Sequence, residues 1–104
     1  MNCYYTSIYI DDVTDLICNE LGLQWHERDS SHYGCYNCIT LKNDDVKNNW
    51  KEQQAIVYQN DTNEGFHFLN DQHVIISCRQ SALIKQFCVN HKDIHKVVNP
   101  DESH

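Results

Sequence analysis

Two short cysteine and histidine motifs have the residue types and spacing to bind a metal ion. The first is Cys35-x-x-Cys38 and the second is Cys88-x-x-His91. Structural zinc is held by four nitrogen or sulfur atoms in a tetrahedron, and together the two motifs supply that number. One interpretation is therefore a zinc-dependent or thiol-dependent small domain that uses these four side chains.

The residues around the first motif argue against zinc binding. The run from Tyr33 to Leu41 is typical of a β-strand, and positions i and i+3 of a strand project to opposite faces. In the second motif, Cys88 and His91 share a helical face, but that face is apolar. The favoured alternative is that the cysteines are buried and act as small hydrophobic residues. We therefore expect no cofactor, with zinc as the alternative.

One further cysteine has surroundings that favour reactivity. Cys78 lies where a strand is predicted to give way to the last helix, next to Arg79. A helix N-terminus and a neighbouring positive charge both lower the pKa of a thiol. However, no companion catalytic motif is present, and the sequence contains no glycine-rich phosphate loop, H-E-x-x-H helix or G-x-S-x-G turn. We therefore expect a non-enzymatic role.

The charge of the chain disfavours two classes of partner. There are 15 acidic and 8 basic residues, which gives a formal net charge of −7. Binding to nucleic acid or to an anionic membrane requires clustered Lys and Arg residues. No apolar run approaches the roughly 20 residues of a membrane-spanning helix. We expect no direct nucleic-acid or membrane partner, and a cytoplasmic location in which the six cysteines stay reduced.

The same acidity suits a partner protein with a basic surface. We predict a small acidic protein-binding domain, such as an inhibitor, immunity protein or antitoxin, that blocks a basic surface. Its candidate contacts are carboxylates in predicted turns, with aromatic residues as anchors. They are Asp44, Asp45, Asp61, Glu64, Tyr36, Trp50 and Tyr58. The alternative is that these carboxylates only cap helices and form turns.

The elements that position these residues predict an α+β fold. We expect a mostly antiparallel sheet of about five to six strands with two to three helices packed on one face. A single domain is predicted over residues 1–96, followed by a polar, frayed tail over 97–104.

Local patterns predict the individual elements. A strand over 3–10 precedes a helix that is capped by Asp11-Asp12 and ends at Gly22. The next predictions are strands over 23–28 and 33–41, and then a short helix that opens at Asn43. A three-stranded meander follows over 55–59, 65–69 and 73–77, in which His67 and His73 face opposite sides. A capping box, Ser77-x-x-Gln80, opens the final helix.

Overall fold

The computed structural model describes residues 2–31, 34–42, 53–79 and 81–98. Within these residues the chain forms six strands and two helices, which confirms the predicted α+β fold. In chain order the elements are β1 (Cys3–Thr6), α1 (Ile10–Leu21), β2 (Leu23–Ser30), β3 (Gly34–Leu41), β4 (Ala55–Gln59), β5 (Val74–Cys78), α2 (Ala82–Asn90) and β6 (Ile94–Lys96). The short helix predicted to open at Asn43 lies outside the described residues.

All six strands form one antiparallel sheet in the order β2-β3-β4-β5-β1-β6. Strands β2 to β5 are a meander, and β1 lies between β5 and β6. Helix α1 connects β1 to β2, and helix α2 connects β5 to β6. This connectivity is that of a β-α-β-β-α-β unit with two additional strands in its meander.

Strand β1 is shorter than the strand predicted to reach Ile10. The hydroxyl of Thr6 accepts a hydrogen bond from the backbone N–H of Ile8 at 3.2 Å, and this local bond turns the chain away from the sheet. Helix α1 then begins at Ile10. The predicted cap, Asp11 and Asp12, lies in the first helical turn, where the helix dipole still favours negative charge.

The end of α1 is where the sequence predicts it. Gly22 follows the last turn with φ of 68°, and its N–H donates to the carbonyl of Cys18. A left-handed residue at this position favours glycine, because a side chain would be strained there. Strand β2 starts directly after it and runs to Ser30, two residues beyond the end of the strand predicted over 23–28.

Of the predicted three-stranded meander, the strands over 55–59 and 73–77 are confirmed as β4 and β5, and the middle strand over 65–69 is wrong. Strand β4 pairs directly with β5, from Ala55 opposite Cys78 to Gln59 opposite Val74. Residues 60–73 form a loop between them, so there is no strand over 65–69. The polar side chain of Asn60 makes hydrogen bonds to the loop backbone in place of a strand ladder.

The predicted capping box is also wrong. Ser77 lies inside β5, whereas the hydroxyl of Ser81 accepts the N–H of Ile84 at 3.2 Å and caps α2. The chain then forms β6, which the sequence does not predict. Strand β6 adds to the edge of β1, and the N–H of Val97 continues the pairing with the carbonyl of Cys3 at 3.0 Å.

Both helices cover one face of the sheet. The buried core between helices and sheet contains Tyr4, Val13, Ile17, Cys18, Ile39, Ala55, Val57, Val74, Ile76, Cys78, Ile84, Cys88 and Ile94. Because side chains alternate along a strand, the intervening residues occupy the opposite face. One row of that face runs in register across all six strands through Arg28, Tyr36, Tyr58, Ile75, Tyr5 and His95.

Neither helix in the described part of the chain has the length and apolar character to cross a membrane.

Candidate functional site

The register of β3 and β4 brings two predicted aromatic contacts together. Tyr36 lies directly opposite Tyr58, on the face of the sheet away from the helices. Directly opposite residues of an antiparallel pair have Cβ atoms about 5 Å apart, so the two side chains are cross-strand neighbours. Both tyrosines are half-buried. They form an aromatic pair beside the point where β4 ends.

The loop that follows β4 is organised by one buried amide. The Oδ1 atom of Asn60 accepts the N–H of Phe66 at 3.0 Å. Its Nδ2 group donates to the carbonyls of Phe66 at 3.1 Å and Asn70 at 3.0 Å. The backbone N–H of Asn60 donates to the carbonyl of His73 at 2.9 Å. These bonds hold both halves of the 60–73 loop to the end of the sheet.

Two aspartates fix the tip of this loop. Asp61 Oδ1 accepts the N–H of Asn63 at 2.8 Å, and its carbonyl accepts the N–H of Gly65 at 2.6 Å. Asp71 Oδ1 accepts the N–H of Thr62 at 2.8 Å. Asp61 therefore stabilises a turn, which is the alternative role that the sequence analysis gives for this carboxylate. It is also exposed, so its charge remains available to a partner.

The close packing of the loop explains Gly65. A Cβ atom at this position would lie 2.7 Å from Oδ1 of Asn60 and 2.9 Å from the carbonyl oxygen of Asp61. Both distances are shorter than van der Waals contact. A glycine is therefore needed for the chain to pass over the Asn60 amide.

A cleft of about 500 Å³ opens between this loop and the turn that joins β2 to β3. Asp61 and Glu64 supply its negative charges, and Tyr58 and Phe66 supply aromatic surface. Ser31 and Gly34 lie on the other wall. Glu64 is exposed, as Asp61 is. The cleft therefore combines carboxylates with aromatic rings on a loop that is held in place by its own hydrogen bonds.

The structure brings together every predicted contact that lies in the described residues. Tyr58, Asp61 and Glu64 line the cleft, and Tyr36 is the cross-strand neighbour of Tyr58. The remaining predicted contacts, Asp44, Asp45 and Trp50, lie outside the described residues. We call the assembled surface of Tyr36, Tyr58, Asp61 and Glu64 the acidic cleft.

Sequence reasoning missed the residues that build the acidic cleft. The sequence pattern places Asn60 between two predicted strands and Phe66 inside the strand predicted over 65–69. The polar run from Asn60 to Glu64 does signal a turn. It carries no signal that the Asn60 side chain bonds to backbone groups six and ten residues away.

The residues of the alternative zinc interpretation lie in different surroundings. The Cys35 thiol is exposed and donates to Oδ1 of Asp29 at 2.8 Å. The Cys38 thiol is buried on the other face of β3 and donates to Oε1 of Gln53 at 3.3 Å. Cys88 belongs to the core beneath the helices, which does not include Cys38. His91 follows the last turn of α2.

Across the parts of the chain that the structure describes, no group of three or more His, Cys, Asp or Glu side chains is placed to hold a metal ion. The hydrogen bond to Asp29 raises the pKa of Cys35. Burial raises the pKa of Cys38, against the opposing effect of Arg28. Zinc binding stays a prediction, which elemental analysis of the purified, untagged protein would test.

Comparisons with known protein families, curated proteins and solved structures found no match to this chain.

Proposed function

We propose that this chain is a small acidic protein-binding domain that takes a basic segment of a partner protein into the acidic cleft. One observation carries the proposal. Two exposed carboxylates and an aromatic pair, all of them predicted partner contacts, meet at one end of the sheet. The fold places them together although they come from two strands and a loop.

The chemistry of the acidic cleft suits an arginine or lysine side chain. A guanidinium group pairs with carboxylates such as Asp61 and Glu64, and its flat face stacks on aromatic rings such as Tyr58 or Phe66. The Asn60 bonds hold the loop in one conformation before a partner arrives. A pre-ordered loop loses less conformational entropy on binding, which favours affinity.

The net charge of the chain supports the same partner class. A formal charge of −7 speeds the diffusional approach of a basic protein and disfavours acidic partners. Such a domain inhibits by covering a basic site, as expected for an inhibitor, immunity protein or antitoxin. The proposal includes a cytoplasmic location, with which six free thiols agree.

The proposal is tested by titrating the ¹⁵N-labelled protein with a short arginine-rich peptide and following its backbone amide signals. We expect the largest shifts at Gln59, Gly65 and Phe66, whose backbone lies around the cleft. An acidic peptide of equal length should leave these signals unchanged. Shifts spread evenly over all acidic segments would contradict a localised site.

A matched pair of variants separates the acidic cleft from general charge. The double variant Asp61→Asn and Glu64→Gln removes both cleft charges, while the Asn63 N–H keeps an oxygen acceptor at position 61. The control, Asp12→Asn and Glu20→Gln, removes two exposed charges from α1. We expect the cleft variant to bind the peptide at least tenfold more weakly, with little change in the control. Equal weakening in both would mean that net charge alone drives binding.

The inhibitory role needs a second experiment. The wild-type chain and both double variants are used to retain proteins from the native host at low and moderate salt. A basic protein that the wild type and the α1 control retain, and that the cleft variant loses, is then assayed for activity with increasing amounts of this chain. Loss of that activity in proportion to binding supports inhibition, whereas unchanged activity would leave binding without inhibition.

A further inference from the structure

The loop that follows β4 closes on itself through hydrogen bonds between Asn60 and Phe66. The side-chain amide of Asn60 accepts the N–H of Phe66 at 3.0 Å and donates to its carbonyl at 3.1 Å. Inside this ring, the carbonyl of Asp61 accepts the N–H of Gly65 at 2.6 Å. Asp61, Glu64 and Phe66 all line the cleft. One hydrogen-bonded unit therefore presents two carboxylates and one phenyl ring to the same cavity.

We infer that the acidic cleft selects arginine over lysine, and that the ring of Phe66 makes this selection by stacking on the guanidinium group. The inference rests on the proposed function, because it specifies which basic side chain of the partner enters the cleft. It gives Phe66 a role in specificity in addition to the backbone contact that its N–H and carbonyl make with Asn60.

The ring of Phe66 is held in a way that suits stacking. Phe66 is half-buried, and its ring meets that of Phe68 edge to face, with centroids 5.7 Å apart and planes at 64°. An edge-to-face contact covers at most one face of a ring, so this contact leaves a second face of Phe66 unused. The backbone of Phe66 is fixed by Asn60, so the ring is positioned before a partner arrives.

Tyr58 is the other aromatic residue that lines the cleft, and its surroundings differ from those of Phe66. Tyr58 lies in β4, with Tyr36 directly opposite on one side and Ile75 directly opposite on the other. Cross-strand neighbours such as these pack against the side chain between them. Phe66 lies outside the sheet, in the loop between β4 and β5. Phe66 is therefore the better platform for an incoming guanidinium group.

Arginine and lysine differ in how they use a ring and a carboxylate together. A guanidinium group is planar and weakly hydrated, so it stacks on an aromatic face while the N–H groups at its edge still reach carboxylates. An ammonium group is a compact, strongly hydrated charge that pairs with a carboxylate without a ring. Asp61 keeps acceptor capacity beyond its bond to the Asn63 N–H, because a carboxylate accepts about four hydrogen bonds. Asp61 and Glu64 therefore attract both cations, and Phe66 distinguishes between them.

Two peptides of equal length and charge test the selection, one with arginine and the other with lysine at every basic position. The affinity of the wild-type chain for each is measured by isothermal titration calorimetry at one salt concentration. We expect the arginine peptide to bind about three- to tenfold more tightly, as one partly desolvated cation–π contact provides. Equal affinity for the two peptides would overturn the inference and leave the proposed function intact. Failure to bind either peptide would overturn both.

Replacement of Phe66 tests the residue to which the selection is assigned. Phe66→Leu keeps an apolar side chain and the backbone groups that Asn60 binds, so we expect the loop to persist. The preference for arginine should fall to about twofold or less, while the affinity for the lysine peptide changes little. Phe66→Tyr, which restores an aromatic face, should restore the preference. A preference that survives in Phe66→Leu would contradict the assignment.

Two further variants and one measurement separate stacking from loss of structure. Phe68→Leu removes a ring of the same loop that is not among the residues lining the cleft, and it should keep most of the preference. Protection of the residue 66 amide from hydrogen exchange checks that the Asn60 bond persists in each variant. If Tyr58→Leu abolishes the preference and Phe66→Leu does not, Tyr58 is the stacking residue and the assignment to Phe66 is wrong. Equal weakening of both peptides in Phe66→Leu, with the amide still protected, would also refute it.

Discussion

The side chain of Asn60 and the backbone of Phe66 are joined by two hydrogen bonds, one in each direction. Oδ1 accepts the Phe66 N–H at 3.0 Å, and Nδ2 donates to the Phe66 carbonyl at 3.1 Å. The side-chain amide therefore pairs with residue 66 as a neighbouring strand would. Asn60 is 3% exposed, so water cannot replace it without rearrangement of the loop. The acidic cleft depends on this pairing.

Replacement of Asn60 by alanine should destabilise the fold and loosen the loop. The change removes three side-chain hydrogen bonds and leaves the N–H of Phe66 without its acceptor, while the two carbonyls keep one backbone N–H donor each. We expect a loss of about 2–4 kcal/mol in the free energy of unfolding, measured by urea denaturation. Asn63→Ala is the control, since Asp61 bonds to its backbone N–H rather than to its side chain. A loss in Asn60→Ala no greater than in the control would show that the amide does not hold the loop.

Gly65→Ala should also destabilise the protein, for a steric reason. The added methyl group would lie within 3 Å of both Asn60 Oδ1 and the Asp61 carbonyl. Relief requires the loop to move by several tenths of an ångström, which we expect to cost about 1–3 kcal/mol. Because the two changes act on one contact, the double variant Asn60→Ala with Gly65→Ala should lose less than the sum of the single losses. If urea denaturation shows that the two losses are strictly additive, the effect of Gly65→Ala does not arise from contact with the Asn60 side chain.

How much of this structure the sequence predicts depends on the range of the interactions involved. The end of α1 at Gly22 follows from a local rule, because one residue type tolerates the left-handed conformation. The α+β class follows from periodicity and from the order of the elements. The loop around Asn60 follows from neither, because its bonds join residues whose proximity exists only after folding.

The acidic cleft likewise combines residues that local sequence signals identify with a geometry that exists only after folding. Tyr36, Tyr58, Asp61 and Glu64 are identifiable from residue type and predicted turns. Their convergence depends on the register of β3 with β4, since a shift of one residue would place one tyrosine on the helix-covered face. Strand β6 was missed because three residues, of which two are polar, carry no readable alternation.

The cap of α2 provides a test in which sequence and structure disagree. The sequence favours Ser77, whereas in the structure Ser81 accepts the N–H of Ile84. We expect Ser81→Ala to lower the free energy of unfolding by about 1 kcal/mol. Ser77→Ala should change it by less, because that hydroxyl accepts a weak bond from the Cys3 thiol at 3.7 Å. Chemical denaturation of the two variants decides between the two candidate caps. A larger loss of free energy of unfolding in Ser77→Ala would favour the capping box that the sequence predicts.

Stability should also depend on pH through His26. Its Nε2 atom accepts a hydrogen bond from Nε of Arg28 at 2.9 Å, and its Nδ1 atom is buried without a hydrogen-bond partner among the described residues. Burial, and then the charge of Arg28, lower the pKa of His26 in the folded state. The unfolded chain, with a histidine pKa of about 6.5, therefore takes up a proton at higher pH than the folded chain.

The sign of the effect follows from this difference in proton uptake. Above the unfolded pKa both states are neutral at His26, so the folded state carries no penalty. As the pH falls through that value the unfolded state is protonated first, and the free energy of unfolding decreases. The decrease from His26 ends once the pH is below the folded pKa. The replacement His26→Gln supplies an amide oxygen as acceptor for Arg28 in place of the ring nitrogen and removes the titration.

We therefore expect His26→Gln to lose less stability than the wild type when the pH is lowered from 7.5 to 5. Urea denaturation at pH 7.5 and at pH 5 measures the free energy of unfolding of each protein. The loss in each protein is taken relative to its own value at pH 7.5, which cancels the contribution of the carboxylates that both proteins contain. His67→Gln, at an exposed position, controls for the removal of an imidazole as such. If His26→Gln loses as much stability as the wild type on acidification, the imidazole is hydrated in solution and Arg28 does not oppose its protonation.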